Sequence, residues 1–397
     1  MAHDVGSDKR AAICRRRRRG PSPVSIAVGV VVVVGAAAGI SLAAMRSGRS
    51  RPPVRHTIAR RACAIPVTAS PVPAPARIGS WPFHLLAGGV FPAVAADGPR
   101  ALALEACGAE ESSLRVVEFD PATGASVASA PFAHAAPIAS AVAASRGAVW
   151  FGESRLALEG AADTPPYELA LVELRPGTLA PERTIRLGRG YGLSLLDSPG
   201  GLVVSTGRQL LVVDAAGSVH PVASFPGVVV QRIAMIPGGA GVLASLFRPS
   251  AVGPASSTAL SVVDLASGRV TATTDLPGGA EVESLAVGGR SALVAVGRTG
   301  ATSLERFAIS SLRRVSEGAR NLPATLASLN LAAGRRSVFA YGPTTVACLA
   351  VSAGQVTAST PARDAAEDIT SLAEASGELI AALPAGIGRL EAPSGCR

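Results

Sequence analysis

Seven copies of one hairpin pattern and one uncharged stretch of 22 residues predict the fold class: an all-β, seven-bladed β-propeller preceded by a single transmembrane helix. The clearest copy is Leu260–Leu276, LSVVDLASGRVTATTDL, in which alternating apolar residues flank a small-residue turn that closes at Gly268. This alternation is typical of an antiparallel hairpin with one buried face. The composition, with 48% hydrophobic but only 4% aromatic residues, predicts an aliphatic core that suits packed sheets.

The predicted transmembrane helix is Val24–Met45, which carries no charged residue and would be about 33 Å long, enough to cross membrane lipid. A cleaved signal peptide is the alternative, because the span ends in small residues. We expect residues 1–23 to form a basic cytoplasmic tail and the long folded domain to be extracytoplasmic, with arginines flanking both ends of the span. Small residues at Gly35, Gly39 and Ala43 would let two such helices pack as a dimer.

The predicted linker is 46–75, because its six prolines favour an extended, semi-rigid spacer and its arginines would contact anionic headgroups. The first 61 residues hold thirteen Lys and Arg and two Asp, a charge of +11, whereas the whole chain has +9. The remaining residues therefore carry −2. This charge excludes a broad phosphate-binding surface, so we expect no nucleic-acid partner.

The repeat defines residues 76–397 as the predicted propeller. The seven copies align on a residue at the end of the third strand, at Asp120, Leu174, Asp214, Asp264, Ile309, Ala350 and Glu391. They lie 40 to 54 residues apart, which is typical of propeller blades, and two further strand-like runs precede each copy. An irregular pair of β-sandwiches is the alternative, but it does not explain the regular spacing. We expect a segment near Ala76–Phe83 to supply the fourth strand of the last blade and close the ring.

Two segments, RGAVWFGES at Arg146–Ser154 and EFDPATGASV at Glu118–Val127, resemble the repeats of bacterial seven-bladed propellers. The nearest types are the YVTN-like surface repeats and the virginiamycin B lyase-like propellers, and the resemblance implies the fold over most of 76–397. The lyase would also require a catalytic histidine and metal-binding carboxylates, and no residue of this sequence matches them. Quinone-binding propellers are disfavoured, since Trp81 and Trp150 are the only tryptophans.

The sequence lacks the motifs that would indicate common enzyme chemistry: HExxH, Gly-x-Ser-x-Gly, a P-loop and a dinucleotide fingerprint. His84, His134 and His220 lie near different predicted strand ends without ligand-like spacing, so we expect no metal site and no cofactor. The aspartate of the Leu260–Leu276 turn is predicted to accept backbone N–H bonds rather than to act as a catalytic acid.

The candidate ligand site is the mouth of the central channel, because second-to-third-strand loops and blade-to-blade connections share one face of a propeller. We expect long second-to-third-strand loops at 108–113, 160–166, 247–258 and 297–303. The candidate ligand-binding residues on this face are Tyr191, Arg232, Glu283, Tyr167 and Arg248. The predicted function is a membrane-anchored extracytoplasmic binding or scaffolding module for an envelope protein or a carbohydrate. The alternative is a cell-envelope lyase or hydrolase that uses the same loops.

Four of the five cysteines lie on the side of the membrane predicted to be oxidising: Cys63, Cys107, Cys348 and Cys396. In the predicted register Cys107 ends the second strand of blade one and Cys348 lies in the third strand of blade six. Blade seven separates them, which excludes a bridge between these two. The closing strand would bring the linker near Cys396, so we predict a Cys63–Cys396 disulfide, with Cys107 and Cys348 as buried thiols. The alternative is that all four are small apolar core residues.

Overall fold

The computed structural model describes residues 77–78, 81–98, 100–107, 113–158, 164–249, 257–298, 300–319, 322, 328–334, 337–342, 345–351, 356–363, 369–375, 377–393 and 396. These residues belong to the unit Arg55–Arg397 and contain thirty β-strands and no α-helix. No helix among them has the length and apolarity that crossing a membrane requires. The predicted cytoplasmic tail, transmembrane helix and linker lie outside the described residues.

The described chain begins with β1 (Arg77–Ile78) and β2 (Trp81–Gly88) and then forms its blades in order. Blade 1 consists of β3 (Val90–Asp97), β4 (Arg100–Cys107), β5 (Ser113–Phe119) and β6 (Ser126–Ala128), with the short β7 (Phe132–Ala133) also paired to β5. Blade 2 consists of β8 (Ala141–Ser145), β9 (Ala148–Leu156), β10 (Tyr167–Leu174) and β11 (Pro181–Gly190). Blade 3 consists of β12 (Ser194–Ser198), β13 (Gly201–Ser205), β14 (Gln209–Val213) and β15 (Val219–Ser224).

The remaining four blades repeat this antiparallel arrangement. Blade 4 consists of β16 (Val229–Met235), β17 (Gly241–Arg248), β18 (Ser257–Asp264) and β19 (Val270–Asp275). Blade 5 consists of β20 (Glu281–Gly288), β21 (Ser291–Arg298), β22 (Ala301–Ala308) and β23 (Arg314–Glu317). Blade 6 consists of β24 (Asn330–Ala333), β25 (Val338–Gly342), β26 (Thr345–Val351) and β27 (Val356–Arg363). Blade 7 consists of β28 (Ser371–Ala375), β29 (Glu378–Leu383), β30 (Gly386–Leu390) and the returning β2.

The first strand of each blade lies innermost. Successive first strands contact one another around the whole ring, from β3 to β8 and onward to β28, which lies beside β3 again. The clearest copy of the repeat, Leu260–Leu276, is the β18–β19 hairpin, and the other predicted copies are likewise built on the third strands of their blades. The predicted all-β, seven-bladed propeller is therefore confirmed.

The last blade takes its fourth strand from the beginning of the described chain. β2 pairs antiparallel with β30, with Phe83 opposite Leu390, and β1 pairs with β2 on its outer side. Trp81 and Phe83 are only 1% and 3% exposed, and burying each such ring stabilises the seam by about 2–3 kcal/mol. The predicted closure of the ring by the beginning of the domain is thus confirmed, but the residues that pair with β30 are Phe83–Gly88, which follow most of the predicted segment Ala76–Phe83.

Aspartates stabilise the hairpins between the third and fourth strands of three blades, and the prediction for the aspartate of the Leu260–Leu276 turn is confirmed. Asp264 Oδ1 accepts hydrogen bonds from the Ser267 hydroxyl at 2.6 Å and from the Ser267 N–H at 2.8 Å. These two bonds lower the pKa of the Asp264 carboxyl group. Asp120 and Asp214 accept backbone N–H bonds in the same way in blades 1 and 3.

A buried glutamate in blade 5 is paired with arginines from the two neighbouring strands. Glu305 in β22 is fully buried. Its Oε1 lies 2.7 Å from Arg298 Nη2, and its Oε2 lies 3.0 Å from Arg314 Nε without the alignment of a hydrogen bond. The carboxylate is therefore held between two guanidinium groups from the neighbouring strands β21 and β23.

The cysteines do not follow the predicted pairing. Cys107 ends β4 as expected but is disulfide-bonded, and its partner lies outside the described residues. Cys348 and Cys396 are buried thiols, so the predicted Cys63–Cys396 disulfide is wrong; Cys63 itself is not among the described residues. Cys396 lies in the apolar cluster that also holds Cys348 and residues of blade 7, where it packs as a small apolar side chain.

Candidate ligand-binding site

The alternation of strand directions places the second-to-third-strand loops and the blade-to-blade connections at one end of the propeller, here called the mouth face. Three of the four predicted long loops separate strands at this end, between β4 and β5, between β9 and β10, and between β17 and β18. The fourth prediction, 297–303, is wrong. Arg298 pairs with Ala301, and Gly300 at a φ of 84° lets the chain turn within two residues.

A cavity of about 520 Å³ lies at the mouth face, over the starts of the first strands. Its volume falls in the range of small-molecule and cofactor sites. The described residues that line it belong to 138–139, 191–194, 205, 207, 229–232, 281–283, 328 and 330. These segments come from the connection into blade 2 and from blades 3 to 6, so the cavity is formed where successive blades meet.

Two β-bulges at equivalent positions introduce polar residues into this wall. The pairing register of the first strand shifts at Gln231 in blade 4 and at Glu283 in blade 5. A bulge leaves one residue unpaired in the ladder and re-aims side chains, and such bulges are frequent beside functional sites. Sequence reasoning selected Glu283 but missed Gln231, although a glutamine within the largely apolar run VVQRIAM was a signal of this kind.

The structure brings three of the five predicted site residues together. Tyr191, Arg232 and Glu283 all line the cavity, although Arg232 and Glu283 lie within the first strands β16 and β20 rather than in connections. Tyr167 begins β10 and packs against the apolar core between blades 2 and 3. Arg248 ends β17, and neither it nor Tyr167 lines the cavity.

The Arg232 guanidinium joins two blades and still presents donors to the cavity. Its Nε donates to the Glu283 carbonyl oxygen at 2.9 Å, and its Nη1 donates to the Gln231 carbonyl oxygen at 3.1 Å. A guanidinium has five N–H donors, so three are not used by the described residues. The planar fork of these donors suits a carboxylate or another bidentate acceptor.

The two bulge side chains differ in how they are satisfied. Glu283 Oε1 accepts a hydrogen bond from Thr302 Oγ1 at 2.7 Å, and Oε2 accepts one from the Leu329 N–H at 3.3 Å, which ties blade 5 to blade 6. Gln231 Oε1 is buried and has no hydrogen-bond partner among the described residues. A buried acceptor left unsatisfied costs about 1–3 kcal/mol, so a ligand that supplies an N–H or O–H donor here would be stabilised.

The rim on the side of blades 2 and 3 is partly apolar. Tyr191 is 37% exposed, and the Arg208 guanidinium stacks 5.4 Å from its ring centroid while Nη2 lies 3.3 Å from its hydroxyl. Ile138, on the adjoining wall, is 90% exposed. Sequence reasoning missed Arg208 and Ile138, because both lie in short connections without a recognisable motif.

Backbone hydrogen bonds fasten the connections around the cavity. The Leu193 N–H donates to the Ala139 carbonyl oxygen at 2.8 Å, which joins the entries to blades 2 and 3. The Val230 N–H donates to the Gly207 carbonyl oxygen at 2.8 Å, which joins blades 3 and 4. Walls held in this way need little ordering when a ligand arrives, and this lowers the entropic cost of binding.

The chemistry of the cavity is that of recognition by hydrogen bonds and charge. Its charged residues, among those described, are Arg232, Glu281 and Glu283. Tyr341 pairs with the cavity residue Asn330, and burial raises the pKa of its phenol to about 12, so this group stays protonated at neutral pH. The described residues contain no group of three or more His, Cys, Asp or Glu side chains placed to hold a metal ion.

Comparison with known proteins supports the fold and not a family. No protein-family model matches the chain, and no curated protein matches it. Hydrazine synthase from Kuenenia stuttgartiensis is similar in structure, with a TM-score of 0.54 at 10% identity over 77% of this chain and 96% of the other. The Dos1 propeller gives a TM-score of 0.51 at 12% identity over 78% and 94% of the two chains.

A third similar structure is BamB from Moraxella catarrhalis, with a TM-score of 0.44 at 14% identity over 76% of this chain and 85% of that one. At 10% and 12% identity, the likenesses to hydrazine synthase and to the Dos1 propeller establish the propeller fold alone, since one fold serves many unrelated functions. The finer resemblance to YVTN-like or virginiamycin B lyase-like repeats is not supported by a family match.

Proposed function

We propose that this protein is a membrane-anchored, extracytoplasmic binding or scaffolding module that takes its ligand at the mouth cavity. A propeller is consistent with such a role. The observation that supports the proposal is a preformed cavity of about 520 Å³ whose wall contains unsatisfied hydrogen-bond donors and acceptors. Gln231 Oε1 and three donors of Arg232 have no partner among the described residues. Convergent polar groups in a fixed, concave wall are what specific recognition requires.

The membrane-anchored and extracytoplasmic parts of the proposal rest on two further features. The stretch 24–45 is long and apolar enough to span a bilayer. Cys107 is disulfide-bonded, and disulfides persist mainly in oxidising compartments. The likeness of the repeats to YVTN-like surface repeats fits the same location.

The location is tested by fusing alkaline phosphatase or a cytoplasm-dependent fluorescent protein after Arg397. The proposal expects an active phosphatase and a dark fluorescent protein, with the fusion recovered in the membrane fraction. A bright fluorescent fusion would place the propeller in the cytoplasm and contradict this part of the proposal. Recovery in the soluble fraction would support the cleaved signal peptide instead.

The binding site is tested by photo-crosslinking in intact cells. The photoreactive residue p-benzoylphenylalanine replaces Ser194, which lines the cavity, or Ala266, which is exposed in a third-to-fourth-strand turn on the opposite face. We expect adducts at Ser194 and not at Ala266, because the unsatisfied groups lie at the mouth. Equal labelling at both positions, or none at Ser194, would refute a ligand site at the mouth face.

A further inference from the structure

The exposed large apolar side chains among the described residues fall into two groups. Four lie on the fourth strands of their blades, at Leu85, Val127, Val270 and Val315. The other four lie toward the mouth face around blade 2, at Ile138, Leu156, Leu158 and Tyr191. Single exposed apolar residues are ordinary on edge strands, whereas Ile138 and Tyr191 both line the cavity, and apolar side chains exposed together at a cavity mark a contact surface.

Ile138 is presented on a rigid turn. The Ala136 N–H donates to the Ser154 carbonyl oxygen at 2.7 Å, and the Ser140 N–H closes the turn on the Ala136 carbonyl oxygen at 3.0 Å. Ile138 at the tip is 90% exposed, so it contributes almost no buried area to the folded chain. A fixed apolar side chain that stabilises nothing in its own fold is a ready anchor for a partner, because little backbone entropy is lost on contact.

The charged groups of the mouth follow the apolar ones in a definite order around the ring. From the Ile138 and Tyr191 side, the next groups are the guanidinium of Arg208, stacked on Tyr191, and that of Arg232 in blade 4. The acidic end lies beyond, in blade 5, where Glu281 is exposed and forms no ion pair with the described residues. From blade 2 to blade 5, the mouth surface is therefore first apolar, then cationic and then anionic.

From this order we propose that the ligand is an extended peptide segment of a partner protein with an apolar side chain, a carboxylate and a cationic group in that sequence. The apolar side chain packs on Ile138 and Tyr191, the carboxylate accepts the unused N–H donors of Arg232, and the cation pairs with Glu281. The peptide backbone N–H groups also supply the donor that Gln231 Oε1 lacks. This inference rests on the proposed function and specifies its ligand.

The test uses the full chain in detergent micelles and fluorescein-labelled peptides read by anisotropy. Each peptide carries one Leu, one Glu and one Lys separated by zero to three glycines, in both chain directions. A control set exchanges the Glu and Lys. We expect the apolar–acidic–basic set to bind about tenfold or more tightly than the exchanged set, since one well-placed charge pair is worth that much.

Three variants locate the contact. Ile138→Asp should lose binding, while Val270→Asp, which alters a half-exposed valine on an outer strand, should bind as the wild type does. Glu281→Lys should abolish the order preference, because Arg232 is unchanged and each peptide order then makes one attractive and one repulsive charge pair. Absence of an order preference in the wild type, or wild-type binding by Ile138→Asp, overturns the proposal.

The outcomes also separate this proposal from the proposed function. If soluble oligosaccharides bind and the peptides do not, while crosslinking at Ser194 persists, the mouth is a binding site for carbohydrate and the peptide proposal fails. Binding to phosphatidylglycerol vesicles that Ile138→Asp abolishes, again without peptide binding, makes the apolar group a membrane contact and likewise overturns it. Loss of face-specific crosslinking at Ser194 removes the proposed function itself.

Discussion

Gly268 tests how closely neighbouring blades approach each other. It closes the β18–β19 hairpin at a φ of 68°, and its N–H donates to the Asp264 carbonyl oxygen at 2.9 Å. A Cβ added at this position would overlap the carbonyl oxygen of Val222 in blade 3. Gly227 has nearly the same φ, 70°, but an added Cβ there would meet no heavy atom within 4 Å. The two glycines therefore share a backbone conformation and differ in their surroundings.

The expected costs follow from that difference. For Gly227→Ala, the left-handed conformation costs about 1–2 kcal/mol and the stiffer unfolded chain returns about 0.4–1 kcal/mol, so we expect a net loss of about 1 kcal/mol. Gly268→Ala carries the same terms plus the displacement of backbone between blades, which overpacking data place at about 1–3 kcal/mol. We therefore expect Gly268→Ala to lose about 2–4 kcal/mol.

The assay is urea denaturation followed by tryptophan fluorescence, with the midpoint and slope of each variant compared with the wild type. Unchanged slopes with a lower midpoint for Gly268→Ala than for Gly227→Ala would support the close approach. Equal midpoints for the two variants would show that the contact with Val222 carries no energy, and the reasoning would be wrong.

Three further predictions concern acid sensitivity, the buried charge network and the cysteines. The lowered pKa of Asp264 means that its turn hydrogen bonds stabilise the fold above the ordinary carboxyl pKa and are lost as the pH falls through the lowered value; Asp264→Asn should therefore flatten the pH dependence of unfolding in that acidic range. Arg298→Ala and Arg314→Ala should each lower the free energy of unfolding by less than half as much as the double variant, as measured by urea titration. The double variant leaves Glu305 buried without a cation, which costs about 3–5 kcal/mol. Additive losses in the two single variants would contradict the network. Alkylation of denatured, unreduced protein should modify the two buried thiols but not Cys107, as read by peptide mass spectrometry; a modified Cys107 would contradict the disulfide.

Much of the fold was predictable because a propeller repeats its local signals. The third strand, its turn and the spacing to the next copy recur, so each copy supports the assignment of the others. The turn aspartate at Asp264 was predictable for the same reason, since its hydrogen bonds are local. Even the closing strand could be placed, because blade 7 ended after three strands and a fourth had to come from the beginning of the domain.

The side-chain contacts were less accessible to sequence reasoning. Strand order placed Tyr191, Arg232 and Glu283 at one end of the channel. It could not show that the Glu283 carboxylate already accepts hydrogen bonds from Thr302 and from the Leu329 N–H of blade 6. It also gave no sign of the bulge at Gln231, because a bulge depends on the partner strand. The cysteine pairing failed because the prediction rested on which chain ends come close, while Cys396 turns inward to the core.

On the proposed function, the two sets of contacts of Arg232 let the mouth be rigid and still bind a ligand. One edge of the guanidinium is fixed by the carbonyl oxygens of Glu283 and Gln231, and this contact orients the remaining donors toward the cavity. A lysine would keep the charge but has a single ammonium that cannot make the blade contact and a bidentate ligand contact together. Substitution of Arg232 would therefore perturb blade packing and ligand binding at once. The Ile138 side chain is almost fully exposed, and Glu281 forms no ion pair with the described residues, so substitutions at these two positions should change ligand binding without changing blade packing.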